Sequence, residues 1–167
     1  MIPITIDTRE QTPFHFDEHL VKATIGTLKV GDYAITGDTG FAVERKNFDD
    51  FLGTISTGWA RFQREIYRAN ERGFNLPIVV EGRLEDVLFH LDERSSVVPP
   101  AHDHFKLTPS FVLKRIGELY QIGASVFFAE RPEYAVAIAY SMLHERWEVI
   151  QDDDADELPG KENHRKG

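Results

Sequence analysis

The stretch Val43-Glu44-Arg45-Lys46-Asn47-Phe48-Asp49-Asp50 decides how this chain is read. Residues 41–46 read as a strand, and side chains alternate faces along a strand, so Glu44 and Lys46 point one way and Arg45 the other. Asn47 then has the character of a helix N-cap. Asp50, three residues on, is its capping-box partner, and together they open a short helix to about Ile55. One strand thus delivers a carboxylate and an ammonium to a single face and turns at once into a helix carrying another acid.

Working outward, residues 28–35 read as a second strand, joined to 41–46 by the turn-rich Thr36-Gly37-Asp38-Thr39-Gly40. That hairpin carries Asp32, which completes a D…E-x-K arrangement. Residues 2–7 alternate as a half-buried strand should, and Pro13 with Phe14-His15-Phe16-Asp17 reads as a loop. After the break at Ser56-Thr57-Gly58, a helix is predicted over 59–72, stopped by Gly73. A buried strand over 76–81 and a short helix over 84–91 follow. Residues 92–107, with Pro99-Pro100, read as a long exposed loop, and Thr108 caps a helix over 111–121. A strand over 125–129 and a helix from Pro132 to about Trp147 end the pattern. Alternating strands and helices mean a layered α/β domain. No internal repeat is present. Residues 1–150 are expected to form one domain, and the acidic, then basic, 151–167 a disordered tail.

Composition bounds the chemistry. The 167 residues contain no cysteine, which excludes disulfides, zinc–thiolate sites and thiol catalysis. Neither a signal peptide nor a membrane span is expected, and the absence of cysteine fits a reducing, cytoplasmic setting. The net charge of −9 argues against a protein that simply coats nucleic acid. Residues 151–167 hold six acids and three bases, a net −3, leaving −6 for residues 1–150. Any chemistry on DNA therefore requires the basic groups to be concentrated on one face.

The residue types of D…E-x-K suit phosphodiester hydrolysis. That reaction needs an in-line water, neutralisation of an anionic centre and help for the leaving oxygen. Carboxylates supply this by holding Mg²⁺ or Mn²⁺, and a lysine can orient the water and stabilise developing charge. Such a triplet alone is a weak signal, but here it lies within a longer ordered set. Ile6-Asp7-Thr8-Arg9-Glu10, Val30-Gly31-Asp32-Tyr33, the E-R-K-x-x-x-D of Glu44 to Asp50, Arg61-Phe62 and Val79-Val80-Glu81-Gly82 follow one another along the chain. In this order they resemble the nuclease domain of the XPF family of structure-specific endonucleases, over about residues 4–82 and more weakly to about 146.

The resemblance implies a restriction-endonuclease-like fold, three layers α/β/α about a central mixed sheet. It implies metal coordination by Asp32, Glu44 and Asp50, with Lys46 as the cation on the water side and Asp7 and Arg9 close by. Arg45, on the opposite face, would anchor the strand through an acidic partner. The chain departs from the family in two places. Many members append helix-hairpin-helix modules, where this chain has an acidic tail, and many carry glutamine where it has Glu65.

Each residue also has an ordinary reading. Asp50 could simply cap its helix, Asp32 could be a turn residue after Gly31, and Glu44 with Lys46 could be an exposed strand face. Asp7, Arg9 and Glu10 could be a solvated strand end. Glu81 could support the site or meet solvent. Arg61, Arg64 and Arg68 recur on one helical face opposite Phe62, Ile66 and Ala69; they are either a solvated face paired with Glu65 and Glu71 or a phosphate-contact stripe, a role favoured here for Arg61. His102 and His104 are taken as surface residues.

The expected function is a metal-dependent DNA endonuclease acting on branched or flapped DNA in replication, recombination or repair, in a prokaryotic or phage-infected cell. The alternatives are a catalytically silent subunit that positions an active partner, which has no reason to keep all four acid and lysine residues, and a small acidic nucleic-acid mimic, which leaves E-R-K-x-x-x-D unexplained. The apolar richness of 110–146, together with the resemblance, predicts a homodimer through that segment.

Overall fold

The computed structural model describes residues 1–71, 73, 76–88, 90–91, 97–98 and 107–156. Strand β1 (Ile2–Asp7) is flanked by β2 (Val21–Gly26), parallel to it, and by β3 (Tyr33–Ile35), antiparallel to it. Strand β4 (Glu44–Asn47) runs directly into α1 (Phe48–Ile55), and α2 (Trp59–Asn70) follows. Then come β5 (Leu76–Glu81), the short α3 (Leu84–Leu88) and the two-residue pair β6 (His90–Leu91) and β7 (Val97–Val98). The chain continues through α4 (Pro109–Gln121), β8 (Ala124–Ala129) and α5 (Pro132–Asp156). Strands β4, β5 and β8 are parallel, with Glu44 opposite Ile78 and Val80 opposite Phe128. An antiparallel bridge between Tyr33 and Val43 joins the two groups of strands into one mixed sheet, in the order β2-β1-β3-β4-β5-β8.

The sheet separates two apolar clusters, as the alternation of its strands requires. Ile78 and Val80 face Phe51, Leu52 and Ile55 of α1, Phe62 and Ile66 of α2, and Val112 and Leu119 of α4. Val79, between them, faces the other way, with Ile4, Tyr33, Val43 and the α5 residues Ala135, Ala139 and Leu143. The result is the expected three-layer α/β/α arrangement. Strand β5 is buried on both faces, which explains its unbroken apolar run.

Several boundaries differ from those expected. Residues 28–32 are not strand, because Gly31 adopts φ 76° and the Leu28 amide turns to the Asp7 carboxylate. Strand β2 has no counterpart among the expected elements. It lies at a sheet edge with four consecutive exposed residues, so it lacks an alternating apolar signal. Helix α2 ends at Asn70 and α3 at Leu88, earlier than expected, and α4 begins two residues sooner, at Pro109 behind the Thr108 cap. Strand β7 interrupts the stretch expected to be loop. Helix α5 runs to Asp156 instead of ending near Trp147, so residues 151–156 are helical and not tail. The rest of the expected tail, 157–167, and the His102 and His104 positions lie outside the described residues.

In the segment expected to pair two copies, Ala135, Ala139 and Leu143 are buried in the chain's own core. Leu113, Tyr120, Phe127 and Tyr134 are exposed. Among the described residues, no helix is long and apolar enough to cross a membrane.

Candidate active site

The register of β4 against β5 sets the direction of each charged side chain. Glu44 and Lys46 pair with Ile78 and Val80 and share their side of the sheet, the side covered by α1, α2 and α4. Arg45 pairs with Val79 and shares the side covered by α5.

On the first side, Asp32 is fixed by the backbone around it. Its amide donates to the Val43 carbonyl at 2.9 Å, and its own carbonyl accepts from the Asp7 amide at 2.8 Å. Gly31 before it is required twice over. Its φ is positive, and a Cβ there would stand 2.7 Å from the Ala42 Cβ. The Asp32 Oδ2 accepts from the Arg45 amide at 2.8 Å. Asp32 and Glu44 line a common open cleft of about 590 Å³, together with Arg9, Lys29, Phe62, Glu65 and Arg68. Lys46 reaches Glu44, its Nζ 2.5 Å from the carboxylate Oε1, and lies 5.6 Å from the centre of the Phe62 ring.

These charges perturb one another. Burial, and then the negative charge of Glu44, push the Asp32 carboxyl up to about 7, far above its ordinary value. Burial also works to discharge Lys46, but Glu44, Asp32 and Asp50 together outweigh it and hold the ammonium above its ordinary value. Asp32 bears the cost of this crowding, because burial and the neighbouring Glu44 both act against its charge. Asp50, exposed at the edge of this group, is occupied locally: Asn47 Nδ2 donates to its carboxylate at 2.7 Å, and its amide donates to Asn47 Oδ1 at 2.8 Å. Among the described residues, no three His, Asp or Glu side chains are placed to share one ion. Of the three acids expected as ligands, the fold therefore brings Asp32 and Glu44 together and leaves Asp50 with its cap.

Asp7 is buried at 1% exposure, accepting from Arg9 Nε at 2.6 Å, from the Leu28 amide at 2.6 Å and from the Arg9 amide at 2.9 Å. Burial opposes its ionisation, but these donors hold its carboxyl below the usual range. Asp7 thereby braces the 27–30 segment and sets Arg9 at the cleft. The arginines of α2 divide. Phe62, Ile66 and Ala69 are buried, as the helical spacing implies, while Arg61 is exposed and lies 3.7 Å from Glu65. Arg68, not Arg61, lines the cleft with the two acids, and so does Lys29, which the sequence reading passed over. Nothing in the local sequence marks Lys29; it reaches the cleft because the 27–30 segment folds back beside Asp7.

On the opposite side, Arg45 is fully engaged. It pairs with both carboxylate oxygens of Glu81, at 2.8 and 3.0 Å, and with Glu10 at 3.3 Å. It also donates to the Thr12 carbonyl at 2.7 Å and to its hydroxyl at 2.8 Å, and lies over the Phe14 ring. Phe14 stacks on Tyr33, whose hydroxyl accepts from the Phe14 amide at 2.9 Å.

A mixed sheet between helical layers, with Glu44 and Lys46 on the strand that runs into α1, is a restriction-endonuclease-like fold. Two solved structures share it at low sequence identity. XPF from Aeropyrum pernix aligns with a TM-score of 0.57 at 17% identity, covering 92% of this chain and 69% of that one. XPF from Aeropyrum pernix in complex with DNA aligns with a TM-score of 0.58 at 18% identity, covering 97% and 76%. The family model of the ERCC4 domain matches residues 6–156. The chain belongs to the ERCC4 domain family and is an XPF-type nuclease domain. Among curated protein sequences, no match was found.

Proposed function

We propose that this chain is a divalent-metal-dependent DNA endonuclease acting on branched or flapped DNA in replication, recombination or repair. The observation that carries the reading is the Asp32–Glu44 pair, set in an open cleft beside Lys46 with Arg9, Lys29 and Arg68 in the same walls. The pair suits Mg²⁺ or Mn²⁺, since Mg²⁺ is commonly held by one or two carboxylates with water and substrate phosphate completing its shell. The burial of Asp32 beside the Glu44 carboxylate fits the same view, since both act against its charge and a dication would offset that cost.

When bound, the metal supplies charge neutralisation at the scissile phosphate and activation of water. The chain's own residues do the rest. Arg9, Lys29 and Arg68 receive the phosphodiester backbone, which the acidic surface elsewhere repels. The Arg45 amide holds Asp32 in place. Lys46, kept charged by its acidic neighbours, orients the attacking water and stabilises the charge that develops at phosphorus. Labelled single-stranded, duplex, flap, fork and four-way DNA, incubated with and without Mg²⁺ or Mn²⁺, test the reading. Cleavage that needs the metal and stops with EDTA is the expected result; an absence of cleavage on every substrate would refute it.

The same reading includes a homodimer through residues 110–146. Exposed Leu113 and Tyr120 on α4, and Phe127 on β8, the outer strand of its group, support it. Pairing would bring two sites to one branched DNA. A monomer mass at micromolar concentration in sedimentation equilibrium, for a preparation that still cleaves, would remove the dimer from the proposal.

A further inference from the structure

The candidate active-site cleft has a neighbour. A second cleft, of about 470 Å³, opens beside it between the sheet and α2. Lys29 and Val30 belong to the walls of both, and α2 reaches into both, with Arg68 in the first and Ala69 in the second. The segment 27–30 is therefore a ridge between two clefts, with an ammonium on it. The two clefts differ in chemistry. The first is ringed by charges, whereas the second is walled by Leu28, Val30, Ala34 and Ala69, with the Thr27 and Thr39 hydroxyls as polar points. Asp38, an acid in its wall, is already neutralised by Arg146, at 2.7 and 2.9 Å, so it presents little charge to an anionic strand.

We propose that the second cleft is a nucleotide subsite, taking the sugar and base of one unpaired nucleotide next to the phosphate being cut, with Lys29 holding the phosphate between them. The proposal rests on the nuclease reading above and extends it. A nucleotide matches the two walls in sequence: an anion for the ridge, then an amphipathic ring for an apolar recess with scattered hydrogen-bonding groups. The volume lies within the ~300–1,000 Å³ common for small-molecule sites. A base held in a duplex stack cannot enter such a recess, and an unpaired base enters at the least cost. The subsite therefore supplies a reason for cutting where a strand is unpaired, without any readout of sequence.

The test is an abasic scan across the cleavage site of a flap DNA, measured in steady state with Mg²⁺ for the whole chain and for Thr39→Trp. Thr39 is exposed on the rim, so the indole fills the cleft without disturbing the core. In the wild type, one abasic position beside the cut should lower kcat/KM by about tenfold, mainly through KM, a loss in the range of one base contact. Thr39→Trp should show a similar loss on the intact flap and no further loss at that abasic position, because both changes remove the same contact. Thr27→Trp, at another exposed point of the wall, should repeat the pattern if Thr39→Trp fails to fold. A flat scan in a wild type that cuts DNA, or losses that simply add, would overturn the subsite and leave the nuclease reading standing. A wild type that cuts no DNA would overturn both.

Discussion

Each face of β4 sets one cation against two carboxylates, and the two use that arrangement in opposite ways. On the α5 side, Arg45 meets Glu81, Glu10 and Thr12 at hydrogen-bonding distance and covers the Phe14 ring. On the α2 side, Lys46 meets Glu44 and lies near the Phe62 ring, while burial and then the charge of Glu44 drive Asp32 towards its neutral form against the pull of Lys46. The first face is a finished network, in which Glu81 and Glu10 share the Arg45 guanidinium and Thr12 accepts from it as well. The second opens to solvent through a cleft whose walls also hold Arg9, Lys29 and Arg68. Charges that are buried and paired are costly to separate, and charges that face an open cleft are available to a ligand.

The comparison can be broken most sharply at the open face. Glu44→Gln and Lys46→Ala should each lower the rate of metal-dependent cleavage by at least ~100-fold, the scale of removing one electrostatic stabiliser, with little change in thermal melting. Unaltered cleavage by Glu44→Gln would rule out the site. At the finished face the effect should be on stability instead. Arg45→Ala leaves Glu81 and Glu10 without their cation, and chemical denaturation should register a loss of about 3 kcal/mol. A variant as stable as the wild type would show that the network adds nothing to the fold.

A smaller effect separates the faces by pH. Because the folded protein raises the Asp32 carboxyl from 3.8 to about 7, the neutral form is favoured in the fold. The associated stability is fully present below about pH 4 and lost as the pH rises through about 7. Asp32→Asn removes that dependence. Its melting temperature should match the wild type near pH 4 and exceed it by about 3 °C or more near pH 8. Added Mg²⁺ should narrow the difference at the higher pH by stabilising the wild type alone. Equal melting temperatures throughout would place the Asp32 charge in ordinary solvent.

The smallest effect is expected at Asp50, which stands between the two regimes. Asp50→Asn keeps an acceptor for Asn47 and should cost about 1 kcal/mol or less. Cleavage should fall by less than in Glu44→Gln. A collapse as deep as that of Glu44→Gln would mean that Asp50 leaves its cap and joins the metal site.

Much of this molecule is decided by local sequence. The chain turn from β4 into α1 follows from Asn47 and Asp50, whose side chains satisfy the first helical turn whatever lies around them. The opposed faces of Glu44 and Arg45 follow from the pleat of a strand, and the buried β5 from its unbroken apolar run. Family membership was equally legible, since short motifs in fixed order survive where overall identity to solved relatives is 17–18%. Other features needed the tertiary structure. Strand β2 is held by pairing with β1 along an edge, and pairing leaves no mark on the composition of an exposed strand. The end of α5 at Asp156 lies within an acidic run that reads as tail. Lys29 and Arg68 reach the cleft through tertiary placement, as Asp7 draws in the Leu28 amide and α2 buries Phe62 and Ile66 in the cluster of Ile78 and Val80. Nor could the sequence say which of three acids would share a cleft. That depends on distances between separate segments, and the positive φ of Gly31 and the register of β4 on β5 set them for Asp32 and Glu44, while Asp50 hydrogen-bonds Asn47 at the edge of the group.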